Sequence, residues 1–317
     1  MKPKEILLLG ASGQIGRNLI RKLTINNFKV IAVTRNLHSK GYLLKTQGNP
    51  GYLEIEEANI FDIDQLDRIL KNADICINLI GILLEKKQNT FENIHKNFPD
   101  ILSNLCFKNK LDHLIHISAL GVEDAVDSIY AKSKLEGEIA IKKNFPSSTI
   151  LRPSLVYSVD DNFTTTFMKL LSIVPVFPMY YSGKTKFTPI HVSDMTEIIF
   201  KVVSDKIYSE TIECIGPEVI SFREIMQKLI NSIRKKRLLI SSPLILGQIT
   251  ARFMKIFMSN PLITMDQLKL LKYDNIASGK NKTNFDLDVP AKLKFEDEIE
   301  KYSYMWRESG QFAKKLD

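Results

Sequence analysis

Four consecutive apolar residues, Ile6-Leu7-Leu8-Leu9, run straight into Gly10-Ala11-Ser12-Gly13-Gln14-Ile15-Gly16, and an amphipathic helical pattern follows over residues 16–24. A strand that turns on glycines into a helix leaves few folds open. One Gly makes the tight turn, a second lets the backbone approach a pyrophosphate, and the third lets the helix pack against the strand. The helix start then offers backbone N–H groups and the positive end of its dipole to that anion. The expected dinucleotide contacts here are Gly10, Ser12, Gly13, Gln14, Ile15 and Gly16.

Short apolar runs at residues 6–9, 30–33, 52–54, 75–79, 113–118 and 149–153 alternate with helical patterns at 16–24, 63–71, 91–107 and 131–143. That alternation is the mark of βαβ units and a parallel sheet. The expected fold class is α/β: a Rossmann-type doubly wound parallel sheet with a smaller C-terminal cap domain. Residues 1–161 are expected to form the NAD(P)-binding domain, with some later segments returning to it, and residues 162–317 mainly the substrate-side cap. Beyond Pro153 the alternation fades, and helical patterns at 222–234 and 244–258 dominate.

The second strand ends Val33-Thr34-Arg35, and no Asp or Glu stands between Gly16 and Leu53. An acidic residue near this point holds the ribose 2′-hydroxyl of NAD, whereas an Arg accommodates a 2′-phosphate. Arg35, with Arg17 and Lys40 as helpers, therefore favours NADP(H) over NAD(H). The plainer alternative is a solvated Arg just past a strand end.

Composition narrows the rest. The chain has 317 residues, 44% hydrophobic and 25% charged, enough for a proper core. Cys76, Cys106 and Cys214 lack CxxC spacing, which argues against a disulfide framework and for burial in a reducing compartment. The spacing of His95, His113, His116 and His191 matches no metal-ligand pattern, and no metal is expected. A strand begins where a signal peptide would need its apolar region, and no segment reaches the ~20 apolar residues of a spanning helix.

The net charge of +8 invites a polyanion, but its one dense cluster, Arg234-Lys235-Lys236-Arg237, closes a helical pattern, where basic side chains oppose the dipole. No aromatics interleave it for base stacking. No nucleic-acid partner is expected; an anionic membrane surface suits the charge better. Residues 244–258 place Ile245, Ile249, Phe253, Ile256 and Phe257 on one face and Gln248, Arg252 and Lys255 on the other. Three uses stay open for that helix: core packing, a lid over an apolar pocket, or a place in a membrane interface.

Tyr130-Ala131-Lys132-Ser133-Lys134 sets a Tyr and a Lys at i and i+4, on one helix face. A Lys so placed is expected to lower the pKa of the phenol, which then serves as general acid/base. Together with the glycine turn, this resembles the extended and atypical short-chain dehydrogenase/reductases. Asn78 and Gly81 in Asn78-Leu79-Ile80-Gly81 match the family motif that lines the cofactor pocket. Arg152-Pro153-Ser154 matches the segment at the nicotinamide end, and His191-Val192-Ser193-Asp194 a cap-anchoring motif. The resemblance implies cofactor contacts at Asn59, Ile60, Asn78, Gly81, Ser118, Tyr130, Lys134 and Pro153, with Asn59 near the place where the family usually has an Asp for adenine. It implies Tyr130, Lys134 and Ser118 as the catalytic set. The Ser position falls either on Ser118 or one or two residues later, on Ala119 or Leu120, which would leave the set incomplete.

A closer similarity is to the atypical group that includes the NADPH-binding accessory subunit of mitochondrial respiratory complex I and its bacterial relatives. Phe91-x-x-Ile94-His95, Ile117-Ser118-Ala119-Leu120-Gly121, Gly216-Pro217-Glu218-Val219 and the stretch from Gln267 to Asn275 carry it. Two functions are implied. One is an oxidoreductase or epimerase acting on a carbonyl/hydroxyl substrate, a small molecule or a quinone- or lipid-like one. The other is a non-catalytic nucleotide-binding subunit of a respiratory or other membrane complex. Both imply the cytoplasm or mitochondrial matrix, with peripheral attachment to the inner membrane in the second.

Overall fold

The computed structural model describes residues 3–248 and 264–312. The first half runs β1 (Glu5–Leu9), α1 (Gln14–Ile25), β2 (Lys29–Thr34), α2 (Leu37–Lys45), β3 (Leu53–Glu57), α3 (Ile63–Leu70), β4 (Ile75–Asn78), α4 (Phe98–Lys108), β5 (His113–Ile117), α5 (Ile129–Asn144) and β6 (Thr149–Pro153). There follow β7 (Val156–Tyr157), α6 (Thr164–Ile173), β8 (Val176–Met179), β9 (Lys186–Phe187), β10 (Ile190–His191), α7 (Val192–Ser204) and β11 (Thr211–Cys214). The chain continues through β12 (Ile220–Ser221), α8 (Phe222–Ser232), β13 (Leu238–Ser241) and β14 (Lys282–Thr283), with short helices at Met265–Leu270 and Phe295–Ser303.

Eight strands form one parallel sheet in the order β14-β11-β6-β5-β4-β1-β2-β3. Helices cover both of its faces, so inner strands such as β1, β2 and β4 read as nearly continuous apolar runs, while the edge strand β3 alternates. Ile6 and Leu8 of β1 face one core with Leu19 and Ile20 of α1 and Ile198 and Ile199 of α7. Leu7 and Leu9 face the other, with Leu66 of α3, Leu102 of α4 and Ile141 of α5. Each such side chain is worth about 2 kcal/mol on burial. Strand order reverses between β1 and β4, the switch point at whose carboxyl edge open α/β sheets bind ligands.

The second half divides its loyalties. α7, β11 and β14 belong to the layers of the main sheet, whereas α6, α8 and the helix Phe295–Ser303 enclose a separate core around Tyr157, Met168, Phe222, Met226, Phe295 and Tyr302.

Two readings of the sequence differ from the structure in instructive ways. Residues 91–107 are not one α-helix: Glu92–Asn97 is π-helical and runs into α4. Pro99 has no N–H to offer the carbonyl of His95, so the regular ladder fails there. The basic cluster does not close α8, which ends at Ser232. Arg234 pairs with Glu300 at 3.6 Å and Lys235 with Glu308 at 3.2 Å. Arg237 instead donates to the carbonyls of Leu171 (2.6 Å) and Ser172 (3.0 Å), satisfying the end of α6.

Residues 244–248 are helical, and the remainder of the expected helix, 249–258, lies outside the described residues. Among the described residues no helix is long and apolar enough to cross a membrane. Cys76, Cys106 and Cys214 are all free and buried.

Candidate active site

The glycine turn is shaped by contacts that only glycine permits. Gly10 has φ +80°, and a Cβ there would sit 3.2 Å from the carbonyl carbon of Leu79, just past β4. A Cβ on Gly16 would lie 2.5 Å from the carbonyl oxygen of Ala11. Gly13 donates its N–H to the Gly10 carbonyl at 3.0 Å and opens α1 with no capping side chain and no acidic residue in the first turn. The first amides of α1 therefore face the switch point without a protein anion upon them, which suits a pyrophosphate. Ser12, Gln14 and Ile15 are half-buried around this turn. Gln14 donates to Ser158 Oγ at 2.9 Å, and Arg17 pairs with Asp160 and donates to the Ser12 carbonyl at 2.6 Å. Arg17 is thus already engaged, and its value as a helper for Arg35 is reduced.

Across the switch point, Asn78 is fully buried. Its Oδ1 accepts from Ile80 N–H at 3.1 Å, so its Nδ2 donates to His116 Nδ1 at 3.0 Å. This bends the chain after β4 and presents Gly81 to α5: a Cβ on Gly81 would stand 3.2 Å from Lys134 Nζ and 3.7 Å from His95 Nε2. Lys134 is buried and donates to the Ile117 carbonyl at 3.0 Å. Burial pushes its ammonium down to about 8, against the pull of Glu138 one turn on.

Tyr130 stands one turn before Lys134 on α5. Its phenol is raised to about 12, first by burial and then by the carboxylate of Asp266. This runs against the expectation that Lys134 lowers it: burial and Asp266 set the direction of the shift, and the Lys134 ammonium is turned to the Ile117 carbonyl. Ser118 is buried at the end of β5, and its Oγ has no hydrogen-bond partner among the described residues. An orphaned hydroxyl at the carboxyl edge of the sheet, beside a cradle made of glycines, fits a ligand that brings its own polar atoms.

The remaining expected contacts are placed as follows. Asn59 is exposed, with its Oδ1 taken by Phe61 N–H at 3.1 Å, while Ile60 turns into the core. Pro153 is buried in β6, its carbonyl accepting from Leu120 N–H at 2.9 Å. Arg35 is exposed and has no ion pair among the described residues.

His95, Asp266 and Asn275 were not among the expected site residues. His95, on the π-helical turn, accepts from Ile82 N–H at Nε2 (3.0 Å) and meets Ser133 Oγ through Nδ1 (3.1 Å). Ser133 Oγ donates onward to the Tyr130 carbonyl at 2.8 Å, so Nδ1 carries the ring proton. Burial, then the charges of Lys134 and His116, hold this ring neutral with a pKa of about 2. It meets the Tyr130 ring edge to face at 5.2 Å. Asp266 reaches from the cap to the start of α5, accepting from Ser128 Oγ (2.7 Å), Ile129 N–H (2.9 Å) and Tyr130 N–H (3.0 Å). Asn275 donates to the Leu120 carbonyl at 2.8 Å and takes the Ser154 hydroxyl at 2.6 Å. Spacing along the chain signals none of the longer contacts: His95 with Ser133, Asp266 with Ser128 to Tyr130, and Asn275 with Leu120 and Ser154 join segments 38 to 155 residues apart.

Residues 4–243 match the family described as RmlD substrate binding domain. The mitochondrial NADH-ubiquinone oxidoreductase 40 kDa subunit of Neurospora crassa is 24% identical over 283 residues, covering 89% of this chain and 74% of its own length. The ceramide reductase of Caulobacter vibrioides is 26% identical over 191 residues, 60% of this chain and 57% of that one. Among solved structures, DesIV of Streptomyces venezuelae, a dTDP-glucose 4,6-dehydratase with NAD and TYD bound, superposes with a TM-score of 0.72 at 16% identity, covering 95% and 96% of the two chains. That likeness shows a shared fold, the Rossmann-like sheet of the epimerases and dehydratases. By its glycine turn, its parallel sheet and the match over residues 4–243, this chain belongs to the RmlD substrate binding domain family, within the short-chain dehydrogenase/reductase relationship that also takes in the complex I subunits.

Proposed function

We propose that this protein binds NADP(H) in preference to NAD(H) and works as an oxidoreductase or epimerase on a carbonyl/hydroxyl substrate, a small molecule or a lipid-like one. Residues 1–161, with the later strands of the main sheet, hold the nucleotide, and the cap supplies the substrate side. The observation that carries this reading is the buried Lys134, held between Gly81 and Ile117 with a pKa of about 8, one turn from Tyr130. An ammonium is costly to bury without an anion (several kcal/mol), and structural packing alone gives no return for it. A nicotinamide ribose, with hydroxyls to accept from it, gives one.

In that reading the turn from Gly10 to Gly16 carries the pyrophosphate on backbone N–H groups. Asn78, Gly81 and Pro153 border the nicotinamide end, and Asn59 the adenine. A reduced nicotinamide held there would supply hydride for a carbonyl carbon. Tyr130, a phenol protonated at neutral pH and held more firmly so by its rise to about 12, gives its proton to the substrate oxygen. Ser118 Oγ, which has no partner among the described residues, donates a hydrogen bond to that same oxygen. Tyr130→Phe is expected to remove turnover of quinones, prenylated lipids or sugar nucleotides while leaving NADPH affinity intact. Turnover at the original rate in that variant refutes the assignment.

One observation favours a second reading, an accessory subunit of respiratory complex I or another membrane complex at the inner membrane. Asp266 adds to the raised pKa of Tyr130 and spends its carboxylate on the frame of α5, an arrangement that holds more than it activates. Similarity to the Neurospora subunit points the same way. There the nucleotide would act as a folding ligand. Co-purification with a membrane complex, no turnover on any of these substrates, and a Tm raised by NADPH would establish it.

A further inference from the structure

Nothing acidic follows β2 in the sequence, yet a carboxylate stands beside its end in the structure. Glu57 closes β3 directly opposite Thr34, and the adjoining Ala58 N–H donates to the Thr34 carbonyl at 3.0 Å. From there Glu57 Oε2 accepts the N–H of Leu37, the first residue of α2, at 2.6 Å. Asn36, the cap of that helix, takes the Ser39 N–H at 2.9 Å. Two amides at the start of α2 are therefore occupied by side chains from within the chain, one of them an anion. Arg35 lies between Thr34 and this corner, exposed and without an ion pair among the described residues.

We infer that Glu57 is a second determinant of cofactor choice, set against Arg35 at the adenosine-ribose end of the site. The inference rests on the nucleotide reading above and deepens it. A carboxylate on the first amide of α2 repels the two negative charges of a 2′-phosphate and keeps that amide from it. Among the described residues the other oxygen of this carboxylate, Oε1, takes no hydrogen bond, and it can accept from a 2′-hydroxyl. Arg35 acts in the opposite sense on both counts. The acid that selects NAD(H) in related sheets from the end of the second strand is supplied here from the third. Discrimination between the two cofactors is accordingly a small difference between opposing charges, and removing either one shifts it.

The substitution Glu57→Gln isolates the charge, because its carboxamide oxygen can still accept from Leu37 N–H and the frame of α2 is kept. Fluorescence titration of the purified full chain with NADPH and with NADH gives both affinities without requiring turnover. The expected result is an NADPH affinity about threefold higher in the variant, the size of one exposed charge interaction, with NADH affinity equal or lower. The shift should shrink as salt is raised. Arg35→Ala should move the ratio the other way. An unchanged ratio in Glu57→Gln, with both nucleotides bound by the original protein, overturns the role of Glu57 alone. Failure of the original protein to bind either nucleotide overturns the nucleotide reading, and this inference with it.

Discussion

The glycine turn and the Tyr130 helix face each other across the switch point, but they are built by opposite means. The turn from Gly10 to Gly16 needs little beyond itself and the end of β4: a left-handed residue, one short backbone bond and the absence of Cβ atoms. The stretch from Tyr130 to Lys134 is held from outside. Asp266 frames its start, His95 and Ser133 brace its flank, and Ile117 takes the Lys134 ammonium. The turn carries no titratable side chain apart from Arg17 at its edge, whereas burial shifts the pKa of Tyr130, Lys134, His95 and His116 in the second region. A site of this kind joins a part that geometry alone specifies to a part that the whole fold must tune.

The comparison can be broken most directly where the second region is tightest. A Cβ on Gly137 would come within 1.9 Å of the His95 carbonyl oxygen, the one left without an amide by Pro99. Gly137→Ala should therefore cost about 3 kcal/mol, at the upper end of overpacking effects, read as a lower urea midpoint. A variant as stable as the original would mean that the π-helical turn yields freely.

Acid offers the next largest effect. The His95 ring titrates at about 2 in the folded chain against 6.5 for the free group. The unfolded chain therefore takes up the proton first as pH falls, so this contribution to stability is complete above about pH 6.5 and drains away toward pH 2. Between pH 6.5 and pH 5 the loss should be about 2 kcal/mol for this one group. His95→Gln should flatten the pH dependence of urea unfolding by that amount. An equally steep dependence in the variant would shift the cause to His113, which is held down at about 4 chiefly by burial, or to His116.

Gly10→Ala tests the first region. A left-handed backbone costs a residue with a Cβ about 1.5 kcal/mol, and the new methyl would press on Leu79 at 3.2 Å. Nucleotide affinity should fall severalfold with the fold retained. If stability collapses instead, the turn is not the self-contained unit described above.

The smallest expected effect is the most specific. Asp266→Asn removes a negative charge from the start of α5 but leaves one oxygen to accept there. Stability should fall by about 1 kcal/mol, as for loss of a helix cap. Because Asp266 raises the Tyr130 phenol, the substitution should also lower that pKa, seen as an earlier ultraviolet transition on alkaline titration. An unmoved Tyr130 titration would leave burial as the sole cause.

Much of this molecule was legible before any coordinates. Six of the eight strands of the main sheet, the helices α1, α3, α5 and α8, and the parallel α/β class follow from apolar period and glycine placement, because those depend on neighbours within a few residues. The Tyr130 and Lys134 pairing was legible for the same reason, as a spacing of four is a single helix face. The short strands β11 and β14 and the helix α7 were not seen to rejoin the sheet individually, since pairing with β6 or packing on α1 leaves no local period to read. Nor was the chemical state of the site. Tyr130 stands above its ordinary pKa and Lys134 below it because of what buries them, and burial is a property of the assembled layers. A carboxylate reaches the corner after β2 from β3, and the start of α5 is framed by Asp266 from a segment 136 residues away. The order of residues determined which backbone could form. Only the folded chain decided which charges meet, because electrostatic energy depends on distance and solvent exposure, and neither exists along a sequence.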